Sequence, residues 1–176
     1  AYRGADVTLI SGPTSLTPPL FVDTVPIVSA ADLYREVSAR AADTDLIFKA
    51  AAVADYTPVD YSNNKIKKKD GDLSIPLQRT QDVLKYLGEH KRPGQIICGF
   101  SMETENMLEN SRAKLEKKSI HMIAANNLKV EGAGFGVDTN VMTLITADQC
   151  VELPLMSKDD VANAILDKAQ ELFDKA

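Results

Sequence analysis

The sequence predicts a Rossmann-like three-layer α/β domain, in which helices cover both faces of a mainly parallel sheet. Segments with strand character alternate along the chain with segments whose apolar residues recur at helical spacing. Several of the strand-like segments are apolar along most of their length, as in Gln95–Gly99 and His121–Ala125. Such strands are typical of parallel sheets that are buried on both faces.

The predicted strands are short, and turn-favouring or polar residues separate them. They are Asp6–Ile10, Thr24–Val28, Asp45–Ala52, Leu73–Leu77, Gln95–Gly99, His121–Ala125, Val141–Thr146 and Val151–Leu155. From Tyr56 to Asp72 the chain is polar and contains a lysine cluster, which predicts a long lysine-rich loop or hairpin.

Helices are predicted where apolar residues recur at helical spacing, in two cases directly after a capping residue. Ser29 followed by Asp32 resembles a capping box. The predicted helices are Ala30–Ala42, Asp82–Glu89, Thr104–Lys118 and a last helix that Ser157 caps and that runs to Phe173.

The first residues resemble the end of a helix. In Ala1–Ala5, Gly4 has the position of a helix C-terminal stop, and a strand follows directly. A helix that leads into a strand forms the second half of a β-α-β unit. We therefore expect the first strand and most of its helix to be absent, and we interpret residues 1–176 as one N-terminally incomplete domain.

Charge and hydropathy argue against two classes of partner. The net charge is −5, so the chain has no general basic excess with which to displace counterions from a nucleic acid. No apolar run approaches the ~20 residues that cross a bilayer. We expect neither a nucleic-acid partner nor a membrane partner.

Cysteine and histidine usage indicates a reducing compartment and supplies no metal motif. Cys98 and Cys150 are the only cysteines, and they form no Cys-x-x-Cys pair, which favours a cytoplasmic location. His90 and His121 lie far apart in sequence, without metal-ligand spacing.

One candidate ligand site follows a predicted strand, because ligands of open α/β sheets bind at the carboxyl ends of strands. Ala50–Ala52 ends that strand, and Asp55 comes shortly after it. Small side chains let a ligand approach the backbone, and a carboxylate can accept hydrogen bonds from sugar hydroxyls. A well-packed strand end with a capping Asp explains the same residues, so both interpretations stay open.

A second candidate is the lysine cluster. Lys65, Lys67, Lys68 and Lys69 stand within five consecutive residues, and mobile ammonium groups suit phosphate. The long loop that carries them follows the candidate sugar site. A solvated basic turn is the alternative interpretation.

Two further positions are ambiguous on their own. Phe100 lies where a strand turns into a helix and can stack on a base, or it can be a core residue. Lys114 and Lys118 are four positions apart and share a helix face. The helix dipole favours lysines near a C-terminus in any case, and Lys117 lies in the same turn.

Taken together, these segments resemble the bacterial phosphopantothenate–cysteine ligases, which are often fused behind a flavin-dependent decarboxylase. The resemblance covers nearly the whole chain in the right order. Its motifs are Ala-Ala-Val-Ala-Asp-Tyr (51–56), Lys-Ile-Lys-Lys (65–68), Gly-Phe-Ser-Met-Glu-Thr (99–104), Lys-Leu-x-x-Lys (114–118) and Ile-Ala-Ala-Asn (123–126), with Gly134-Phe135 and Asn140 beyond them.

The resemblance implies a two-step reaction of coenzyme A biosynthesis. The carboxylate of 4′-phosphopantothenate attacks the α-phosphate of CTP and gives an acyl-cytidylate and pyrophosphate. The amine of L-cysteine then displaces CMP and forms the amide. Mg²⁺ accompanies the triphosphate, FMN is expected only if the parent chain has a decarboxylase domain, and the family usually forms homodimers.

The resemblance also implies roles for single residues. Asp55 binds the ribose, and the strand end at Lys49, Ala50 and Ala51 faces the cytosine. Lys65 contacts phosphate and assists the transfer as the catalytic residue, with Lys67 and Lys68 in a lid. The other implied nucleotide-binding residues are Thr80, Gln81, Asp82, Val83, Phe100, Lys114 and Lys118.

The chain departs from the family pattern in two places. Thr80-Gln81-Asp82 stands where the family often has Asn-Pro-Asp, and the family's Asn-Arg-Ser-Ser-Gly-type segment, which handles the acyl-cytidylate, is absent. The residues by themselves leave CTP and ATP as alternatives.

Two other functions stay open. A Rossmann-type oxidoreductase that uses NAD(P) needs a Gly-x-Gly-x-x-Gly turn, which is not visible in this sequence. A non-catalytic nucleotide-binding module would bind the nucleotide without releasing pyrophosphate.

Overall fold

The computed structural model describes residues 1–62, 64–67, 71–103, 107–127, 133–134 and 136–175. The chain divides into two units, and each is assembled from two separate stretches of sequence. The first unit comprises Ala1–Val37 and Ala52–Asp82, and the second comprises Ser38–Ala51 and Val83–Ala176.

The helices and strands of the described residues follow one another in a largely alternating order. The strands are β1 Thr8–Ser11, β2 Asp23–Pro26, β3 Leu46–Lys49, β4 Tyr56–Pro58, β5 Leu77–Arg79, β6 Ile96–Glu103, β7 Met122–Asn127, β8 Thr139–Asn140, β9 Met142–Ile145, β10 Cys150–Glu152 and β11 Met156–Ser157. The helices are α1 Ala30–Arg40, α2 Val83–Glu89, α3 Met107–Lys118 and α4 Lys158–Phe173, with a 3₁₀ turn over Ala41–Asp43.

The first unit contains two small pairs of strands. β1 and β2 are parallel, whereas β4 and β5 form an antiparallel ribbon in which Tyr56 lies opposite Arg79. Gly4 adopts a φ of +86°, which suits a stop residue, but residues 1–4 form a turn and not the predicted end of a helix. Among the described hydrophobic residues of this unit, only Leu33 is buried.

The second unit is built on a five-stranded sheet with the order β10-β9-β7-β6-β3. β3, β6 and β7 are parallel, and β9 and β10 continue the sheet in antiparallel fashion. This arrangement confirms the predicted α/β class with a mainly parallel central sheet. The carboxyl ends of β3 and β6 therefore meet at one edge, where ligands of such sheets bind.

Alternation along the strands divides the sheet of the second unit into two faces. One face carries Cys98, Ala124 and Leu144, which pack with Val161 and other residues of α4. The opposite face lies against α2 and α3. On that face a Cβ at Gly99 would meet the side chains of Leu84 and Ile120, and Ser101 Oγ lies 3.4 Å from Ser111 Oγ of α3.

The predicted caps of α1 and α4 are confirmed. Ser29 Oγ accepts from the Asp32 N–H at 3.1 Å, and the Asp32 carboxylate accepts from the Ser29 N–H at 3.0 Å. Hydrogen bonds from Ser29, and then from Arg35, hold the pKa of Asp32 well below its usual range. Ser157 Oγ accepts from the Asp160 N–H at 3.1 Å in the same way.

Three predicted strands have other boundaries in the structure. The strand predicted for Asp45–Ala52 spans only Leu46–Lys49 and is half-buried, because within the described residues it pairs with β6 alone. The strand predicted for Leu73–Leu77 forms later, at Leu77–Arg79. β6 extends to Glu103, beyond the predicted end at Gly99.

Candidate functional site

The predicted ribose-binding residue, Asp55, lies at the start of the ribbon in the first unit. It is exposed and directly precedes β4. Its backbone carbonyl accepts from the Thr80 N–H at 3.0 Å, and the preceding carbonyl of Ala54 accepts from the Thr80 hydroxyl at 2.6 Å. Two predicted nucleotide-binding residues, Asp55 and Thr80, are therefore neighbours.

The lysine cluster lies in the connection of the same ribbon. The chain leaves β4 at Pro58 and returns at Leu77, and the Val59 N–H donates to the Pro76 carbonyl at 3.0 Å. Lys65 and Lys67 are exposed within this connection. Lys68, the other predicted lid residue, lies outside the described residues. The prediction of a long lysine-rich loop or hairpin is thus confirmed for the two strands, β4 and β5, that the lysine-bearing connection joins.

The predicted nucleotide contacts at residues 81–83 follow the ribbon, and their side chains differ in exposure. Gln81 and Asp82 are exposed and directly precede α2. Val83 begins α2 in the second unit and is only 3% exposed. The Val83 side chain belongs to the core, so a nucleotide contact from this residue would have to use its backbone.

At the end of β3 in the second unit, the small residues that were predicted to let a ligand approach the backbone are exposed. Ala50 and Ala51 are exposed, so their backbone is accessible. Half-buried Lys49 turns its side chain along the strand end, where Nζ donates to the Ala51 carbonyl at 2.6 Å. A cation and exposed backbone therefore lie together at this carboxyl end, and the cation is bonded to one of its carbonyls.

Phe100 is compatible with both roles that the sequence left open, a base contact and a core position. It is half-buried and packs against the core cluster on the face covered by α4. The residue as a whole stays partly accessible, three positions before β6 ends at Glu103. An aromatic ring that packs against a core on one side can contact a planar ligand on the other.

Asn126 is a candidate that sequence reasoning missed, although its motif was noted. It is the last but one residue of β7 and lies on the same face as Phe100, because Phe100 lies opposite Ala124 and Met102 lies opposite Asn126. Its Oδ1 is buried and has no hydrogen-bond partner among the described residues. Buried carbonyl oxygens are rarely left unpaired, so this oxygen can accept a hydrogen bond from a ligand. The signal in sequence was a polar residue near the end of an apolar strand.

Lys114 and Lys118 are both half-buried, whereas Lys117 is exposed. This difference in burial distinguishes the predicted pair from Lys117, whereas spacing in the sequence did not distinguish them. However, α3 covers the face opposite to Phe100. It also ends beside the amino ends of the strands, where the His121 N–H donates to the Ile97 carbonyl. The structure therefore does not bring Lys118 next to Phe100 within one chain.

Two absences hold for the part of the chain that the structure describes. It contains no group of three or more His, Cys, Asp or Glu residues that could hold a metal ion. None of its helices has the length and apolar character needed to cross a membrane.

Burial raises the pKa of the Cys98 thiol to about 12, so this cysteine is not a nucleophile at neutral pH.

A family model matches residues 1–172, and its description is "DNA/pantothenate metabolism flavoprotein C-terminal domain". The chain belongs to this family. The match covers both units, including the segments that carry Asp55, Lys65 and Phe100.

Comparison with individual proteins gives the same family. The chain is 44% identical over 171 residues to the coenzyme A biosynthesis bifunctional protein CoaBC of Bacillus subtilis, a match that covers 96% of this chain and 42% of that protein. It thus spans less than half the length of that relative. The crystal structure of the C-terminal domain of a CoaBC protein superposes with a TM-score of 0.82 at 40% identity, covering 99% of this chain and 80% of that one.

A more distant structure shares the fold alone. A Cab2 mutant in complex with phosphopantothenate–cysteine superposes with a TM-score of 0.67 at 18% identity and covers 88% of this chain and 53% of that one.

Proposed function

We propose that this chain is the ligase part of a coenzyme A biosynthesis protein, and that the parent protein joins 4′-phosphopantothenate to L-cysteine with CTP as the activating nucleotide. The observation that carries the proposal is the family match over residues 1–172 together with 44% identity to a bifunctional CoaBC protein. A protein of the same fold holds phosphopantothenate–cysteine, which is the product of this ligation.

The reaction requires activation of a carboxylate, because a free carboxylate is a poor acceptor for an amine. Its oxygen attacks the α-phosphorus of CTP, the bond to pyrophosphate breaks, and an acyl-cytidylate forms. The cysteine amine then attacks the acyl carbon, CMP leaves, and the amine loses a proton as the amide forms. Such a reaction chiefly needs positioned groups and neutralised phosphate charge.

In the first unit, Asp55 and Lys65 supply these functions. The exposed Asp55 carboxylate accepts hydrogen bonds from the ribose hydroxyls, and exposed Lys65 neutralises phosphate charge as the transfer proceeds. Lys67 and Lys68 act with Lys65 as a lid. Gln81 and Asp82 contribute contacts ahead of α2.

In the second unit, the carboxyl ends of the strands receive the base. Phe100 packs along the ring, and Asn126 Oδ1 accepts from the exocyclic amino group, which gives its buried oxygen a partner. Lys49, Ala50 and Ala51 border the base at the end of β3. Lys114 and Lys118 remain predicted contacts that rest on the resemblance.

Mg²⁺ enters as part of the nucleotide substrate. Mg²⁺ commonly binds substrate phosphates and retains several waters, so the triphosphate oxygens and water would hold the ion.

We also propose a homodimer that forms through the ribbon. Tyr56 and Leu77 lie on one face of it and are 53% and 57% exposed. Leu73 and Ile75, 69% and 59% exposed, extend the apolar surface ahead of β5. Burying it would favour association. Analytical ultracentrifugation tests this: Leu77→Asp should yield monomers, and a variant that sediments like the wild type would refute the interface.

The test of the ligase function uses the parent protein and measures pyrophosphate release from CTP and Mg²⁺ in the presence of 4′-phosphopantothenate, followed by CMP release on addition of L-cysteine. Lys65→Gln should reduce turnover about a hundredfold or more, with an unchanged unfolding temperature because Lys65 is exposed. Lys117→Gln, which removes the same charge from another exposed lysine, should retain full turnover.

Other outcomes select the alternatives. Equal turnover of Lys65→Gln and the wild type would remove Lys65 from the mechanism. Faster pyrophosphate release from ATP than from CTP would show that ATP is the nucleotide substrate. Nucleotide binding without pyrophosphate release would favour a binding module, and preferential NAD binding would favour an oxidoreductase.

A further inference from the structure

Thr80 makes two hydrogen bonds to the chain around Asp55. Its N–H donates to the Asp55 carbonyl at 3.0 Å, and its hydroxyl donates to the Ala54 carbonyl at 2.6 Å. Both bonds join residues that are far apart in sequence but lie in the same unit. The first bond continues the ladder of the ribbon by one residue, because Tyr56 is the partner of Arg79.

These two bonds hold the two peptide groups that flank the Cα atom of Asp55. The Ala54 carbonyl belongs to the peptide group before that atom, and the Asp55 carbonyl belongs to the one after it. Since the orientation of these groups defines φ and ψ of Asp55, Thr80 fixes the backbone from which the carboxylate projects.

The carboxylate itself receives no such support. Asp55 is exposed, and within the described residues its side chain accepts no hydrogen bond. The direction of the carboxylate therefore depends on its backbone. We propose that Thr80 is a positioning residue that presents the Asp55 carboxylate to the ribose, rather than a residue that contacts the nucleotide. This inference rests on the proposed role of Asp55 in nucleotide binding.

The test uses Thr80→Val, which keeps the shape and the N–H but removes the hydroxyl donor, and Thr80→Ser, which retains the donor. Binding of CTP and of 2′,3′-dideoxy-CTP, which lacks the hydroxyls that Asp55 accepts from, is measured by calorimetry with Mg²⁺. Thr80→Val should weaken CTP binding ~3- to 10-fold, as expected for one hydrogen bond, and leave dideoxy-CTP binding unchanged. Thr80→Ser should restore CTP binding to within about twofold.

A double-mutant cycle separates positioning from direct contact. If Thr80 acts through Asp55, then Thr80→Val should add nothing to Asp55→Asn. Additive effects, equal weakening of both nucleotides, or no weakening at all would overturn the proposal. The amide of residue 80 should exchange with solvent faster in Thr80→Val than in Thr80→Ser. Equal rates would show that the hydroxyl does not hold this segment.

The same experiment distinguishes a wrong role for Asp55, on which the proposal rests, from a wrong role for Thr80 alone. If the wild type binds neither nucleotide, or binds both equally, Asp55 is not a ribose ligand and the role of Thr80 falls with it. If the wild type prefers CTP and Thr80→Val keeps that preference, only the role of Thr80 is refuted.

Discussion

His121 joins β6 and β7 through both its backbone and its ring. Its N–H donates to the Ile97 carbonyl at 3.1 Å, and its Nδ1 accepts from the Ile97 N–H at 3.0 Å. Nδ1 can accept only when the ring is neutral and carries its hydrogen on Nε2. Burial, and then the charge of Lys91, lower the pKa of His121.

This arrangement predicts a loss of stability in mild acid. The unfolded chain takes up a proton on His121 below about pH 6.5, whereas the folded ring resists protonation until its lower pKa is reached. The free energy of unfolding should therefore decrease as the pH falls below 6.5 and stop changing once the folded ring is also charged. Above that range His121 is neutral in both states and contributes no pH dependence.

Urea denaturation at pH 7.5 and pH 5.5 measures the effect. Carboxylates titrate in every variant, so the informative quantity is the difference between the wild type and His121→Gln. The variant should lose less stability between the two pH values. An equal loss in both proteins would show that His121 is not the titrating group.

Gly88 is required by the close approach of α2 to the end of α3. A Cβ at this position would lie 1.7 Å from the Lys118 carbonyl oxygen and 2.9 Å from its carbon. Ala usually stabilises a helix by up to ~1 kcal/mol relative to Gly. Here we expect Gly88→Ala to lower the free energy of unfolding by about 2 kcal/mol, since backbone must move to relieve the overlap.

The matched control is Lys85→Ala, which lies one turn earlier in α2 and is exposed. It should change stability by less than ~0.5 kcal/mol. Stabilisation by Gly88→Ala in the same denaturation assay would disprove the close contact.

At the scale of single elements, α4 illustrates what local sequence determines. Its Ser157 cap was predictable, because a hydroxyl followed by an acidic residue three positions later satisfies the first free N–H groups without help from distant residues. We expect Ser157→Ala to lower the free energy of unfolding by ~1 kcal/mol and Ser157→Asn, which retains an acceptor, to lower it by less. Thermal unfolding of both variants checks this, and equal losses would assign Ser157 another role.

Strands were less predictable than helices, because their boundaries depend on distant partners. Residues 73–77 alternate like a strand, yet pairing begins only at Leu77, where β4 supplies a partner. The same reasoning explains β6, which extends as far as β7 accompanies it, from Cys98 opposite Met122 to Glu103 opposite Asn127.

The candidate site shows the same division. Asp55 and Lys65 could be proposed from sequence because their motifs are local. Asn126 needed the structure, since only the structure shows that its buried Oδ1 has no partner among the described residues. The position of Lys118 at the amino ends of the strands also depends on the path of α3.

At the scale of the whole molecule, the division into two units was not predictable from a single sequence. Each unit combines stretches of chain separated in sequence. The chain changes unit between Val37 and Ser38, between Ala51 and Ala52 and between Asp82 and Val83. The last two changes fall inside segments predicted to bind the nucleotide. Composition does not change at any of the three points, so no linker marks them.

The two units should also differ in local stability. The buried hydrophobic residues belong to the second unit with the exception of Leu33, among those that the structure describes. Because opening requires exposure of buried apolar surface, amides of β6, β7 and β9 should exchange slowly with solvent, and those of the ribbon should exchange much faster. Adding CTP and Mg²⁺ should then slow exchange around Asp55 and Thr80. Equal exchange in both units without nucleotide would contradict this hierarchy. A nucleotide effect confined to β9 and β10 would place the ligand away from the proposed site.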